Sequence, residues 1–149
     1  MSLFGLLKGW TLKNNLSVTI KIKYIMVIAI DFDGTCVTND YPYIGKGIGA
    51  VPVLKKIVEK GHRIILYTMR DNERLKDAEQ WFESNNITLW GVNNNPEQKK
   101  WSSSPKIYAH LYIDDAALGV PLKFNKKISD MYFVDWEKAE NYLRAEGWI

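Results

Sequence analysis

The chain is poor in the residues that cross-link, ligate soft metals or span a membrane. It has one cysteine, Cys36, in 149 residues. A single thiol excludes an intramolecular disulfide and a cysteine-rich metal site, and it fits a reducing, cytoplasmic setting. The two histidines, His62 and His110, flank predicted strands without ligand-like spacing and read as structural. No apolar run approaches the roughly 20 residues of a membrane span, so no membrane partner is expected. Internal repeats and long low-complexity stretches are also missing.

Basic character is confined to one end. The formal charge is +3, but residues 1–24 carry Lys8, Lys13, Lys21 and Lys23 and no acid, which leaves residues 25–149 at −1. That balance does not support a non-specific nucleic-acid binder. Residues 1–24 read as an N-terminal extension. Their apolar patch (Leu3, Phe4, Leu6, Leu7) is too short for a signal peptide, no A-x-A-like cleavage site follows, and a start at Met26 would leave the domain intact. A weak surface-binding arm is the other reading of this end. Residues 25–149 suit a single domain.

Strand and helix patterns alternate through that domain. Strands are expected at 25–30, 63–68, 87–92, 110–114 and 130–134, the first a continuous apolar run of the kind buried on both faces. Helices are expected at 51–60, 72–86 and 135–147. Pro52 lies near the start of the first, Gly61 just past its end, and Asp135 is placed to cap the last. Residues 93–105 are polar and turn-rich, with room for one short helix. The fold class that follows is α/β: a doubly wound, mainly parallel Rossmann-like sheet of about five strands, flanked by helices on both faces. Ligands of such sheets sit beyond the carboxyl ends of the strands, near the switch in strand order.

Chemically competent residues collect at those ends. The first strand runs into Asp31 and Asp33 in "VIAIDFDGTCV", the second delivers Thr68, and the fourth, preceded by Lys106, delivers Asp114 and Asp115. Carboxylates gathered at one point repel unless a cation joins them, and an all-oxygen set suits a hard ion such as Mg²⁺. Such a set can transfer a phosphoryl group. One carboxylate attacks phosphorus, a second moves protons, and a lysine and a threonine hydroxyl steady the charge.

At these residues the sequence resembles a known family. "DFDGT", the Thr of "LYTMR", Lys106 in "SPKIYAHLYIDDAALG" and the "IDD" that follows are similar, in order, to the four motifs of the haloacid dehalogenase superfamily of phosphotransferases. The resemblance covers about residues 25–120. It implies Asp31 as nucleophile, Asp33 as general acid and base, and Thr68 and Lys106 as phosphate-binding residues. It also implies Mg²⁺ at Asp31, Asp114, Asp115 and the backbone carbonyl of Asp33. The spacings between motifs leave no room for a cap domain, so the chain is similar to small capless bacterial and phage members. Their open site takes large substrates or borrows a lid from a neighbouring subunit in a homo-oligomer.

Other roles stay open at several positions. Arg70 can meet a substrate phosphate or form a surface ion pair. Asp115 can cap a helix, and Lys99 or Lys100 can stand in for Lys106. The glycines of "IGKGIGA", 44–50, read as hinges of a flap beside the site. Cys36 reads as packing. Trp81, Trp90, Trp136 and Trp148 read as core, and Trp101 is the tryptophan placed to touch a substrate. The expected activity is Mg²⁺-dependent hydrolysis of a phosphomonoester through an aspartyl phosphate. The phosphorylated substrate is a nucleotide, a polynucleotide end or a sugar phosphate. A phospho-accepting receiver-like signalling protein and a non-catalytic phosphate binder are the alternatives.

Overall fold

A computed structural model describes residues 24–149. The expected extension over 1–24 therefore lies, apart from Tyr24, outside the described residues.

Four short strands form one parallel sheet: β1 (Val27–Ile30), β2 (Arg63–Leu66), β3 (Leu89–Val92) and β4 (Leu111–Ile113). Their order is β3-β2-β1-β4. The chain steps outward from β1 to β3, then crosses back to lay β4 on the other side of β1. The switch in direction falls between β1 and β4, and Asp31 and Asp114 follow those two strands. β1 is central, and its four residues are buried. The architecture is Rossmann-like, with four strands in the main sheet where about five were expected.

The expected fifth strand shrinks to β6 (Phe133–Val134), which pairs antiparallel with β5 (Leu122–Lys123) in a separate two-stranded ladder. Its docking explains why. The Val134 amide donates to the Gly34 carbonyl and the Asp135 amide to the Pro121 carbonyl, so this stretch braces the turn after β1 instead of extending β4.

The helices are α1 (Ala50–Glu59), α2 (Asn72–Ser84) and α3 (Trp136–Ala145). Gly49, in the left-handed region, begins α1, and Pro52 lies in its first turn, where a missing amide proton costs nothing. Asp135 caps α3, accepting from the Lys138 amide at 3.3 Å. The segment 93–105 contributes one 3-10 turn, Gln98–Lys100.

The layering departs from expectation. The buried residues of all three helices (Val53, Leu54 and Ile57 of α1, Ala78 and Phe82 of α2, Ala139 and Leu143 of α3) share one core with Ile28, Ile30, Ile64 and Leu66. The opposite face, Val27, Ala29 and Ile65 with the partly buried Trp90 of β3, is covered by Ile107 and Ala109. The outward crossovers share a face because they travel in one direction with one hand. The return from β3 to β4 reverses direction and so covers the other face, but it does so as loop. Helices therefore cover one face, and an extended segment covers the other. Among the described residues no helix is long and apolar enough to cross a membrane.

Candidate active site

β1 ends where the Asp31 amide donates to the Ile113 carbonyl at 2.9 Å, which aligns its end with that of β4. The chain then turns sharply at Gly34, whose φ of +76° favours glycine. A side chain at this position would also overlap the Asp115 carboxylate. The glycine of "DFDGT" thus lets two acidic segments meet.

Asp31, Asp114 and Asp115 converge, each offering a carboxylate oxygen within 4.8 Å of the others. Thr35, fully buried, ties two of them together. Its hydroxyl donates to Asp31 Oδ2 at 2.8 Å and accepts from the Asp115 amide at 3.0 Å. Trp136 holds Thr35 in turn through Nε1–H to its carbonyl at 2.6 Å. Asp114 Oδ1 accepts from the Ala116 amide at 2.8 Å. No lysine or arginine forms an ion pair with any of the three acids among the described residues.

The electrostatics reflect that unmet charge. Burial pushes the Asp31 carboxyl up to about 7. The Thr35 hydroxyl and the Phe32 amide pull it back, and the charges of Asp114 and Asp115 raise it further. Asp115 is raised too, by burial first and then by Asp114. Three crowded oxygen donors, without cysteine or histidine and without a basic partner, fit a hard divalent cation. The side chain of Asp33 is not in this cluster.

Asp33 is held elsewhere. Arg70 Nε and Nη2 donate to its two carboxylate oxygens, both at 2.7 Å. Arg70 is no surface residue: its side chain is 1% exposed and that of Asp33 17%. The same guanidinium donates from Nη2 to the Tyr43 carbonyl at 2.7 Å and from Nη1 to that of Pro42 at 3.3 Å. The loop from Thr38 to Gly47 is thereby tied to Asp33. Its base is closed by the Val37–Gly47 bridge and by Lys46, whose amide donates to Thr38 Oγ1.

Thr68 is buried beyond β2. Its amide donates to Asn93 Oδ1 at 2.8 Å, and its hydroxyl accepts from the Arg70 amide at 3.2 Å. Lys106 is exposed and forms no ion pair among the described residues; its Nζ lies 5.9 Å from the centre of the Tyr112 ring. The structure thus brings together Asp31, Asp114 and Asp115, links Asp33 with Arg70, and leaves Lys106 apart from the carboxylates. Cys36 is buried, its thiol donating to the Asp31 carbonyl at 3.3 Å, and burial pushes it well above its ordinary range. His62 and His110 brace β1 from below, accepting through Nδ1 from the amides of Met26 and Val27.

Sequence reasoning missed three supporting residues. Thr35 was in plain view inside the motif, but its double bond across the acids depends on the fold. Asn93 and Gln98 gave no signal. Gln98 clamps the stretch around Lys106, donating to the carbonyls of Ser104 and Lys106 at 3.0 and 2.7 Å and accepting from the Tyr108 amide at 2.8 Å.

Fold and site together define a Rossmann-like α/β protein with an acidic cluster at the switch point of its sheet. Among solved structures, the chain is similar to one described as a conserved protein coded by a locus of Bacteroides thetaiotaomicron. The identity is 32%, with a TM-score of 0.66, over 83% of this chain and 93% of that one. The chain belongs to the family of that conserved protein, whose description names no activity. No family model and no curated protein matches the chain.

Proposed function

We propose that the chain is a Mg²⁺-dependent phosphomonoester hydrolase of the haloacid dehalogenase type, capless, acting through an aspartyl phosphate on Asp31. The observation that carries the reading is the three-carboxylate cluster without a basic partner among the described residues, joined through one turn to a fourth acid, Asp33, held outside it.

The residues divide the work. Asp31, oriented by Thr35, attacks phosphorus, and the ester P–O bond breaks as the Asp31–phosphorus bond forms. Asp33 gives a proton to the departing oxygen. It then takes one from the water that cleaves the acyl phosphate, releasing inorganic phosphate and restoring Asp31. Mg²⁺ held by Asp31, Asp114 and Asp115, with the backbone carbonyl of Asp33, would offset the repulsion between carboxylate and phosphate. Thr68 and Lys106 receive the phosphoryl oxygens. Only one loop, α1 and β2 separate Asp33 from Thr68, so the site is open and suits a nucleotide, a polynucleotide end or a sugar phosphate, or a lid supplied by a second subunit.

The test is turnover of an aryl phosphate with Mg²⁺ by the wild-type protein and by Asp31→Asn. A loss on the order of 10³-fold or more is expected. Equal turnover by the two proteins would overturn the mechanism.

A further inference from the structure

The sheet face that lacks helices is crossed by residues 105–110. Burial alternates along this segment: Ile107 and Ala109 lie on Val27, Ala29 and Ile65, while Lys106 and Tyr108 face outward. The outward side chains continue into a row of touching rings. Trp101 lies 5.3 Å from Tyr108, Tyr108 5.3 Å from His110, and His110 5.5 Å from Tyr24. Trp101 is 61% exposed and Tyr108 43%.

A second, separate pair of rings lies toward the strand ends. The Lys106 ammonium stands over Tyr112, and the Tyr112 ring lies 6.5 Å from that of Tyr67, the residue before Thr68. Strand alternation places Tyr112, Ala29, Tyr67 and Asp31 on the same face of the sheet. From Lys106 to His110 the extended segment spans about 13 Å along this face.

The charge is local and positive. Residues 93–110 carry Lys99, Lys100 and Lys106 against Glu97 alone, although residues 25–149 sum to −1. Glu97 already faces Arg63 at 3.6 Å, and none of the three lysines has an ion-pair partner among the described residues. Exposed rings interleaved with free cations suit a ligand with flat bases on an anionic backbone. A sugar phosphate or a mononucleotide offers one ring face to stack, which leaves most of the row unused. A symmetric contact between two copies over this face would set the same lysines against each other.

We propose that this strip binds the single-stranded nucleotides trailing from a phosphorylated polynucleotide end whose phosphate sits at Asp31. The inference rests on the phosphatase reading and selects one of its substrate classes. The probes are single-stranded DNAs of about eight nucleotides, labelled with a fluorophore, carrying a 5′- or a 3′-phosphate. Binding is followed by anisotropy in Asp31→Asn, with and without Trp101→Ala and Tyr108→Ala added. Turnover of the same DNAs and of an aryl phosphate is followed in the otherwise wild-type chain.

Removing the two rings is expected to weaken DNA binding about tenfold or more and to raise KM for a phosphorylated end, while Tyr108→Ala alone leaves aryl phosphate turnover within about twofold. Raising salt is expected to weaken binding with a log–log slope near −2, from about three phosphate contacts. The strip is overturned if aryl phosphate is hydrolysed but the DNAs bind no better than a free nucleotide. It is also overturned if the ring substitutions instead dissolve a dimer seen by sedimentation. Ring-dependent DNA binding without any phosphatase turnover leaves the strip standing and sinks the phosphatase reading.

Discussion

Replacing Arg70 by alanine separates a positioning role from a structural one. The guanidinium holds both oxygens of Asp33 at 2.7 Å and at the same time holds the Tyr43 and Pro42 carbonyls, so Asp33, the proposed general acid, and the loop share one anchor. Truncating one partner of a buried ion pair costs about 3–5 kcal/mol. Here Asp33 keeps 17% exposure and can be partly rehydrated, which argues for roughly 2–3 kcal/mol. A domain with about 5–15 kcal/mol of stability survives that loss. The catalytic effect should depend on the leaving group. A general acid is worth about 10²–10⁴-fold where the departing oxygen needs a proton, as in an alkyl phosphate. A dinitrophenyl phosphate departs without one. Arg70→Ala should therefore lower kcat on the alkyl ester about 100-fold and on the activated aryl ester less than about tenfold. Arg70→Lys should restore only part of the difference, because an ammonium cannot bridge both carboxylate oxygens in the plane of the fork. Steady-state kinetics on the two esters, with thermal melts to verify folding, provide the assay. Equal losses on both esters would refute the reasoning and make Arg70 a structural residue.

Asp31 makes stability depend on pH in the metal-free protein. Its carboxyl titrates near 7 in the fold against an ordinary 3.8, so the fold favours the protonated form. The cost of burial is absent below about pH 4, grows between 4 and 7, and is complete above 7, reaching about 2–4 kcal/mol. In EDTA, Asp31→Asn should match wild type in Tm near pH 4.5 and exceed it at pH 8, with Mg²⁺ recovering wild type at pH 8. A difference that shrinks as pH rises would contradict this account. Gln98→Ala removes the clamp on residues 104–108, and with it three hydrogen bonds of a buried amide. A stability loss of about 1–3 kcal/mol in urea melts is expected, together with a higher KM for phosphoesters as Lys106 loses its framework. An unchanged KM would detach Gln98 from the site.

Much of this site could be read from the chain because its signals are local. A continuous apolar run marks β1 as a doubly buried strand, so Asp31 directly after it stands at the sheet's edge; Asp114 and Asp115 follow the shorter, partly exposed β4 to the same edge. The strand count was less legible. The "DMYFV" stretch has the composition of a strand, but what it pairs with is set by Gly34 and Pro121, far away in sequence. The helix layering was misread for a related reason. Handedness dictates which face a crossover covers, yet whether the return is helix or loop rests on weak propensities in a polar segment.

The sequence by itself determined the alternation of strands and helices and the acids at the strand ends, since each depends on neighbours a few residues apart. Only the tertiary structure decided that Arg70 binds Asp33 rather than solvent and that Thr35 links two acids. Those contacts join residues up to 80 positions apart. Their energies come from burial and from hydrogen-bond geometry, which exist only once the sheet has brought the loops to one edge.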